Sequence, residues 1–169
     1  MHFIVDMEEY RDFERRSARL FRQNESLLQW SQPVGRKRIL PLESDLIMQR
    51  TFLEKLQTMV AATHCSHWYL AVVEPDPEDY FFHHFGKYPV LRISASDEPD
   101  AILSALHEDP GGSPADAMAY NSRILWIFPA DESWAIYVDR DRELASLALD
   151  ERLTELWTQD RRSQLLSHT

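Results

Sequence analysis

Apolar positions along the chain recur first with a helical period and later in short continuous runs. Over residues 5–23, Val5, Met7, Tyr10, Phe13, Leu20 and Phe21 approximate one face, while Arg11, Arg15, Arg19 and Arg22 decorate the other. This predicts an amphipathic N-terminal helix. Over 44–62, Leu46, Ile47, Phe52, Leu53, Leu56, Met59 and Val60 return every three or four residues behind Ser44, a residue suited to capping. A second helix is expected there. His67–Val73 is rich in aromatic and β-branched residues and reads as a buried strand. Glu74-Pro75-Asp76-Pro77-Glu78-Asp79 ends it, since proline cannot donate to a ladder.

Tyr88–Ile93 reads as a second strand, followed by a helix over about 98–108 with Ser96 or Asp97 as cap and Pro99 in its first turn. Asp109-Pro110-Gly111-Gly112 stops that helix, and Ser113-Pro114-Ala115-Asp116 opens a short one. Arg123–Phe128 and Ser133–Val138 form a hairpin across Pro129-Ala130-Asp131-Glu132, with Trp126 and Trp134 packing across the strands. Helices over about 140–148 and 150–158 close the chain, their apolar positions being Leu144, Leu147, Leu149, Leu153, Leu156 and Trp157. The order predicts an α+β fold: a mostly antiparallel sheet of about four strands covered by helices on one face. One domain is expected over 1–169, with a helical arm and loop over 1–40 and a main body over 41–169. The loop, 33–42, carries Gly35, Pro41 and the basic run Arg36-Lys37-Arg38, too few cations for a specific phosphate site.

Charge changes the picture from fold to partner. Eighteen Lys and Arg oppose 28 Asp and Glu, a formal net charge of −10. That disfavours nucleic acid and anionic membranes as targets, because both need clustered cations. The charge is also polarised. Residues 1–40 carry a net +2, and the stretch 74–109 alone carries −7. No run approaches the length needed to span a bilayer, and the first residues, Met1-His2-Phe3-Ile4-Val5, lack the basic start and long apolar stretch of a secretory signal. Cys65 is the sole cysteine, so no intramolecular disulfide framework forms and a reducing, cytoplasmic setting is expected.

Candidate chemistry is sparse. His64, Cys65, His67, His83 and His84 are residue types that bind zinc, but no metal-site spacing joins them. His64 and His67 share a face only if the second helix continues through 67. Cys65 beside an imidazole could also make a nucleophile pair, although catalytic partners usually meet through folding. With four glycines and no phosphate-cradling motif, no cofactor is expected. Acid–base pairs drawn from Glu74, Glu78, Asp79, Glu108 and Asp109 are too freely chosen to weigh. Trp126, Trp134 and Trp157 read as core rather than as a stacking platform. Asp139 reads as a helix cap, with Arg140 beside it.

The segment that stands out is 74–88. Glu74, Asp76, Glu78 and Asp79 lie directly beside Tyr80, Phe81, Phe82, Phe85 and Tyr88. Aromatics anchor interfaces and carboxylates steer a basic partner, so Glu74, Asp76, Glu78, Asp79, Tyr80, Phe81, Phe82 and Phe85 form the expected contact surface. The alternative is that the aromatics fold inward and the acids are merely solvated. The function expected is a small acidic protein-binding module for a basic surface, one form being a bacterial immunity protein that neutralises a basic toxin. A secretion-type chaperone and a metal- or cysteine-dependent hydrolase centred on His64, Cys65 and His67 are the alternatives.

Overall fold

A computed structural model describes residues 1–22, 29–30 and 38–166, with side chains described for all of these except 22, 29–30 and 159–166. The elements in chain order are β1 (His2–Phe3), α1 (Met7–Leu20), β2 (Phe21–Arg22), β3 (Gln29–Trp30), β4 (Arg38–Glu43), α2 (Arg50–Ala62), β5 (His67–Glu74), α3 (His83–Phe85), β6 (Val90–Ser94), α4 (Pro99–Leu106), α5 (Met118–Asn121), β7 (Ile124–Pro129), β8 (Ala135–Asp139), β9 (Leu144–Leu149) and α6 (Glu151–Leu166). The fold is α+β. Seven strands, in the order β1-β6-β5-β7-β8-β9-β4, make one antiparallel sheet, and β2 pairs with β3 in a small ribbon. The expectation of about four strands understates the sheet. None of the described helices is long and apolar enough to cross a membrane.

Two strands come from segments expected to be something else. Residues 144–149 pair with β8 on one side and β4 on the other, with Ile136 opposite Leu147 and Leu40 opposite Leu147. Ala and Leu favour helix intrinsically, but here Ala145, Leu147 and Leu149 point alternately into the core, and that burial decides the outcome. The expected helix over 140–148 is therefore a tight turn and a strand. Residues 38–43, expected as loop, form the far edge of the sheet, where Pro41 is tolerated because one side of an edge strand makes no ladder bonds. Arg36 and Lys37 of the basic run lie outside the described residues.

The helix expected over 44–62 is broken at Gln49, whose backbone is extended: a 3-10 turn, Ser44–Met48, precedes α2. Ser44 is buried rather than capping. Pro99 opens α4 as expected, although Asp97 accepts from the Ser94 N–H (2.7 Å) instead of capping the helix.

Helices cover both faces of the sheet, not one. Trp68, Leu70 and Val72 of β5 face α2, α4, α5 and α6, in a core shared with Ile127, Ile136 and Leu147. The intervening Tyr69 and Ala71 face the other way, into a second core built by α1. This two-sided burial is why β5 reads as a continuous apolar run. Trp126 and Trp134 are both buried, but they belong to opposite faces and so do not pack across the hairpin.

On α1, Asp6 caps the first turn by accepting the Glu8 and Glu9 N–H groups at 2.9 Å each. Its buried stripe is Tyr10, Phe13, Ser17 and Leu20. Tyr10 stacks on Tyr88 at 3.7 Å between ring centroids, Phe13 on Phe128 at 5.5 Å, and Phe21 on Trp126 at 4.7 Å. Val5 and Met7, grouped with this face by periodicity, are about half exposed. Polar ties complete the docking. Arg16 donates to the Ala130 carbonyl (2.8 Å), Arg19 pairs with Glu132, and Arg92 pairs with Glu9 (3.1 Å).

Candidate functional site

The 74–88 segment is mostly a packing element. Asp76 accepts the Glu78 and Asp79 N–H groups (2.9 Å each), capping a π-helical turn over Pro77–Phe82 that continues into α3. The turn carries Phe81 and Phe85 to the core under α2, α4, α5 and α6, and Phe82 to the core under α1, where it stacks on the buried Tyr88 at 4.4 Å. Phe81 is fully buried and contributes nothing to a contact surface. Phe82 and Phe85 are half-buried. Tyr80 alone is exposed, and its hydroxyl donates to Asp116 (3.1 Å).

The carboxylates behave differently. Asp76, Glu78 and Asp79 are exposed, and among the described residues no ion pair engages them. Glu74 stands apart, paired with Arg123 at 2.7 Å. Sequence reasoning missed a further member, Glu14 of α1, sixty residues away in the chain. Partial burial, then Glu78 and Asp76, raise its pKa, with Arg11 opposing. Burial, then Glu14, Glu78 and Asp76, likewise push the Tyr10 hydroxyl up, and burial, Glu78 and Glu14 do so at Tyr88. Three like charges are thus held within electrostatic reach of one another, around the Tyr10–Tyr88 stack. Their mutual repulsion costs stability.

The candidate metal ligands do not assemble. His67 opens β5, so it diverges from His64, which occupies a left-handed backbone position after α2 (φ 56°). The half-buried Cys65 thiol donates to the His67 carbonyl (3.1 Å). His83 and His84 are exposed on α3, with His84 stacked on Tyr80. Among the described residues no three His, Cys, Asp or Glu side chains form a metal-binding group. Asp139 caps a turn, not a helix. It accepts from the Arg142 N–H (3.1 Å) and the Tyr137 hydroxyl (3.3 Å), and burial followed by this carboxylate pushes the Tyr137 pKa up to about 12. Arg140 donates to the Ala119 and Ser122 carbonyls, latching the turn to the segment before β7.

A polar cleft of about 440 Å³, unmarked by any sequence motif, lies between α1 and the sheet. Asp6, Glu8, Glu9, Asp12, Arg15 and Arg16 line it from the helix, and His67, Tyr69 and Arg92 from β5 and β6. His67 Nδ1 lies 2.9 Å from Ser66 Oγ, and Nε2 lies 3.0 Å from the Tyr69 hydroxyl. Burial, then Arg92 and Arg16, lower the His67 pKa against an opposing Glu9. Arg16 holds Asp12 below the usual carboxylate range through a 2.7 Å bond, with Arg15 adding a second contact at 3.3 Å. Pairs such as Arg92–Glu9 bring together residues 83 positions apart, which no local pattern could reveal. The chain matches no protein-family model, no curated protein and no solved structure.

Proposed function

We propose that this protein is a small cytoplasmic module that binds a basic protein surface, one concrete form being a bacterial immunity protein covering a toxin made basic by its need to hold phosphates. The observation that carries the reading is the convergence of the exposed Glu14, Asp76 and Glu78 from two separate elements, none of them in an ion pair among the described residues and with Arg11 as the opposing charge near Glu14. A basic partner would supply cations beyond Arg11, and the resulting attraction speeds encounter more than it deepens affinity. The inward-folded Phe81, Phe82, Phe85 and Tyr88 then serve to hold the turn that presents the acids.

The test is affinity capture from lysate of the source cells with the wild-type chain and with a Glu14→Gln/Glu78→Gln/Asp79→Asn variant. The expected result is a basic protein retained by the wild type, released by raised salt and lost from the variant. Recovery of no partner, or equal recovery by both chains, overturns the proposal.

A further inference from the structure

We propose that the cleft between α1 and strands β5 and β6 binds a small zwitterion of the amino-acid or dipeptide class, its carboxylate on Arg92, Arg16 and Tyr69 and its ammonium on Glu8 and Asp6. The assignment rests on which polar groups are already spent. A guanidinium has five N–H donors. Arg92 uses one of these on Glu9 (3.1 Å), and Arg16 uses two, on Asp12 (2.7 Å) and the Ala130 carbonyl (2.8 Å). Both keep donors for a planar carboxylate, which guanidinium matches in shape as well as charge.

Tyr69 is only 5% exposed, yet it lines the cleft. His67 Nε2 lies 3.0 Å from its oxygen, and in the Nε2–H tautomer the Tyr69 hydroxyl keeps its own proton for a ligand. Ser66 Oγ, 2.9 Å from Nδ1, is placed to donate to the ring in that tautomer. On the helix side, Glu9 and Asp12 are committed to arginines, whereas Glu8 has no ion pair among the described residues. Asp6 spends one oxygen, Oδ1, on both capping N–H groups, and Oδ2 remains. Unspent donors therefore sit on the sheet side and further along α1 at Arg16, and unspent acceptors at the start of α1.

This separation of charge selects the ligand. A dianion meets four carboxylates in the lining, and a plain cation meets three arginines. A molecule with one charge of each sign satisfies both ends, and a cleft of about 440 Å³ accommodates a dipeptide.

The experiment follows the His67 ring resonances by NMR at pH 7 while glycylglycine, acetate or ethylamine is added to the full chain. Glycylglycine should give a saturable shift, acetate should bind about tenfold more weakly, and ethylamine should leave the ring unmoved. Arg92→Gln, which keeps an amide donor for Glu9, should weaken glycylglycine about tenfold. Glu8→Gln should reduce glycylglycine to the acetate level and leave acetate unchanged. Glu78→Gln, on the separate acidic surface, should change neither. No saturable shift with glycylglycine, equal binding of acetate, a matching response to ethylamine, or an Arg92→Gln variant that folds and binds like wild type overturns the proposal.

Discussion

Replacing Phe13 by alanine tests whether α1 is an integral layer of the fold. The ring is 4% exposed and packs against Tyr10, Tyr69 and Phe128, with centroids at 6.0, 5.7 and 5.5 Å. Truncating a buried phenylalanine costs about 3–5 kcal/mol, the spread reflecting how far the site collapses. Phe13 lies on a single helix that can settle toward the sheet, so the lower end, about 3 kcal/mol, is expected. With a urea dependence of about 2 kcal/mol per molar, the unfolding midpoint should fall by about 1.5 M. Met7→Ala is the control. Periodicity places Met7 on the same face, but the structure leaves it 51% exposed, so its change should stay within about 0.5 kcal/mol. Equal losses from the two variants, or a Phe13→Ala midpoint within 0.5 M of wild type by the same slope, would refute the two-sided packing.

The same logic separates Leu147, fully buried, from Leu144, 57% exposed. Leu147→Ala should cost about 2–5 kcal/mol in urea unfolding and Leu144→Ala within about 0.5, whereas a helix over these residues would bury them together. Asp139→Ala should cost about 1–3 kcal/mol through its lost turn bonds, and phenol absorbance should show Tyr137 titrating below its value of about 12 while burial still holds it above 10. Two α1 carboxylates should respond to pH with opposite signs. Glu14 binds its proton more tightly in the folded state, so its contribution to stability falls as pH rises through the unfolded value and then the folded one. Glu14→Gln should therefore stabilise the protein at pH 7 and have no such effect below about pH 3. Asp12 binds its proton less tightly when folded, chiefly through Arg16, so Asp12→Asn should destabilise at pH 7 and lose that effect as pH falls through the depressed folded value.

Long periodic elements were legible because burial and period agree there. The stretch 67–73 is apolar on both sides because both faces are covered, and α2 keeps its stripe of Leu53, Leu56 and Val60. Legibility failed where tertiary placement overrides local preference. Nothing local distinguishes Leu144–Leu149 from a helix, since the flanking β8 and β4 that hold it as a strand are distant in sequence or misread themselves. The aromatics at 80–88 carried an overlooked signal. Phe81 and Phe85 recur at four residues, the spacing of one packed helical face. The polar cleft left no trace at all, because its members come from the start of α1, β5 and β6.

The burial of those aromatics changes what recognition at the acidic surface can be. An interface anchored by Phe81 would hold its partner through a desolvated pocket and dissociate slowly, as aromatic hot spots do. With Phe81 inside and Tyr80 tied to Asp116, the residues left to face a partner are Glu14, Asp76, Glu78 and Asp79. Exposed carboxylates of this kind act mainly on encounter rate, and salt screens them over about 10 Å at 0.1 M. A tight complex would then need its anchoring side chains to come from the partner, seated between the acids, rather than from this chain. On the two proposals the surfaces flanking α1 ask different things of a ligand: cationic charge from a large body at the Glu14 side, and paired charges from a small one at the Arg92 side.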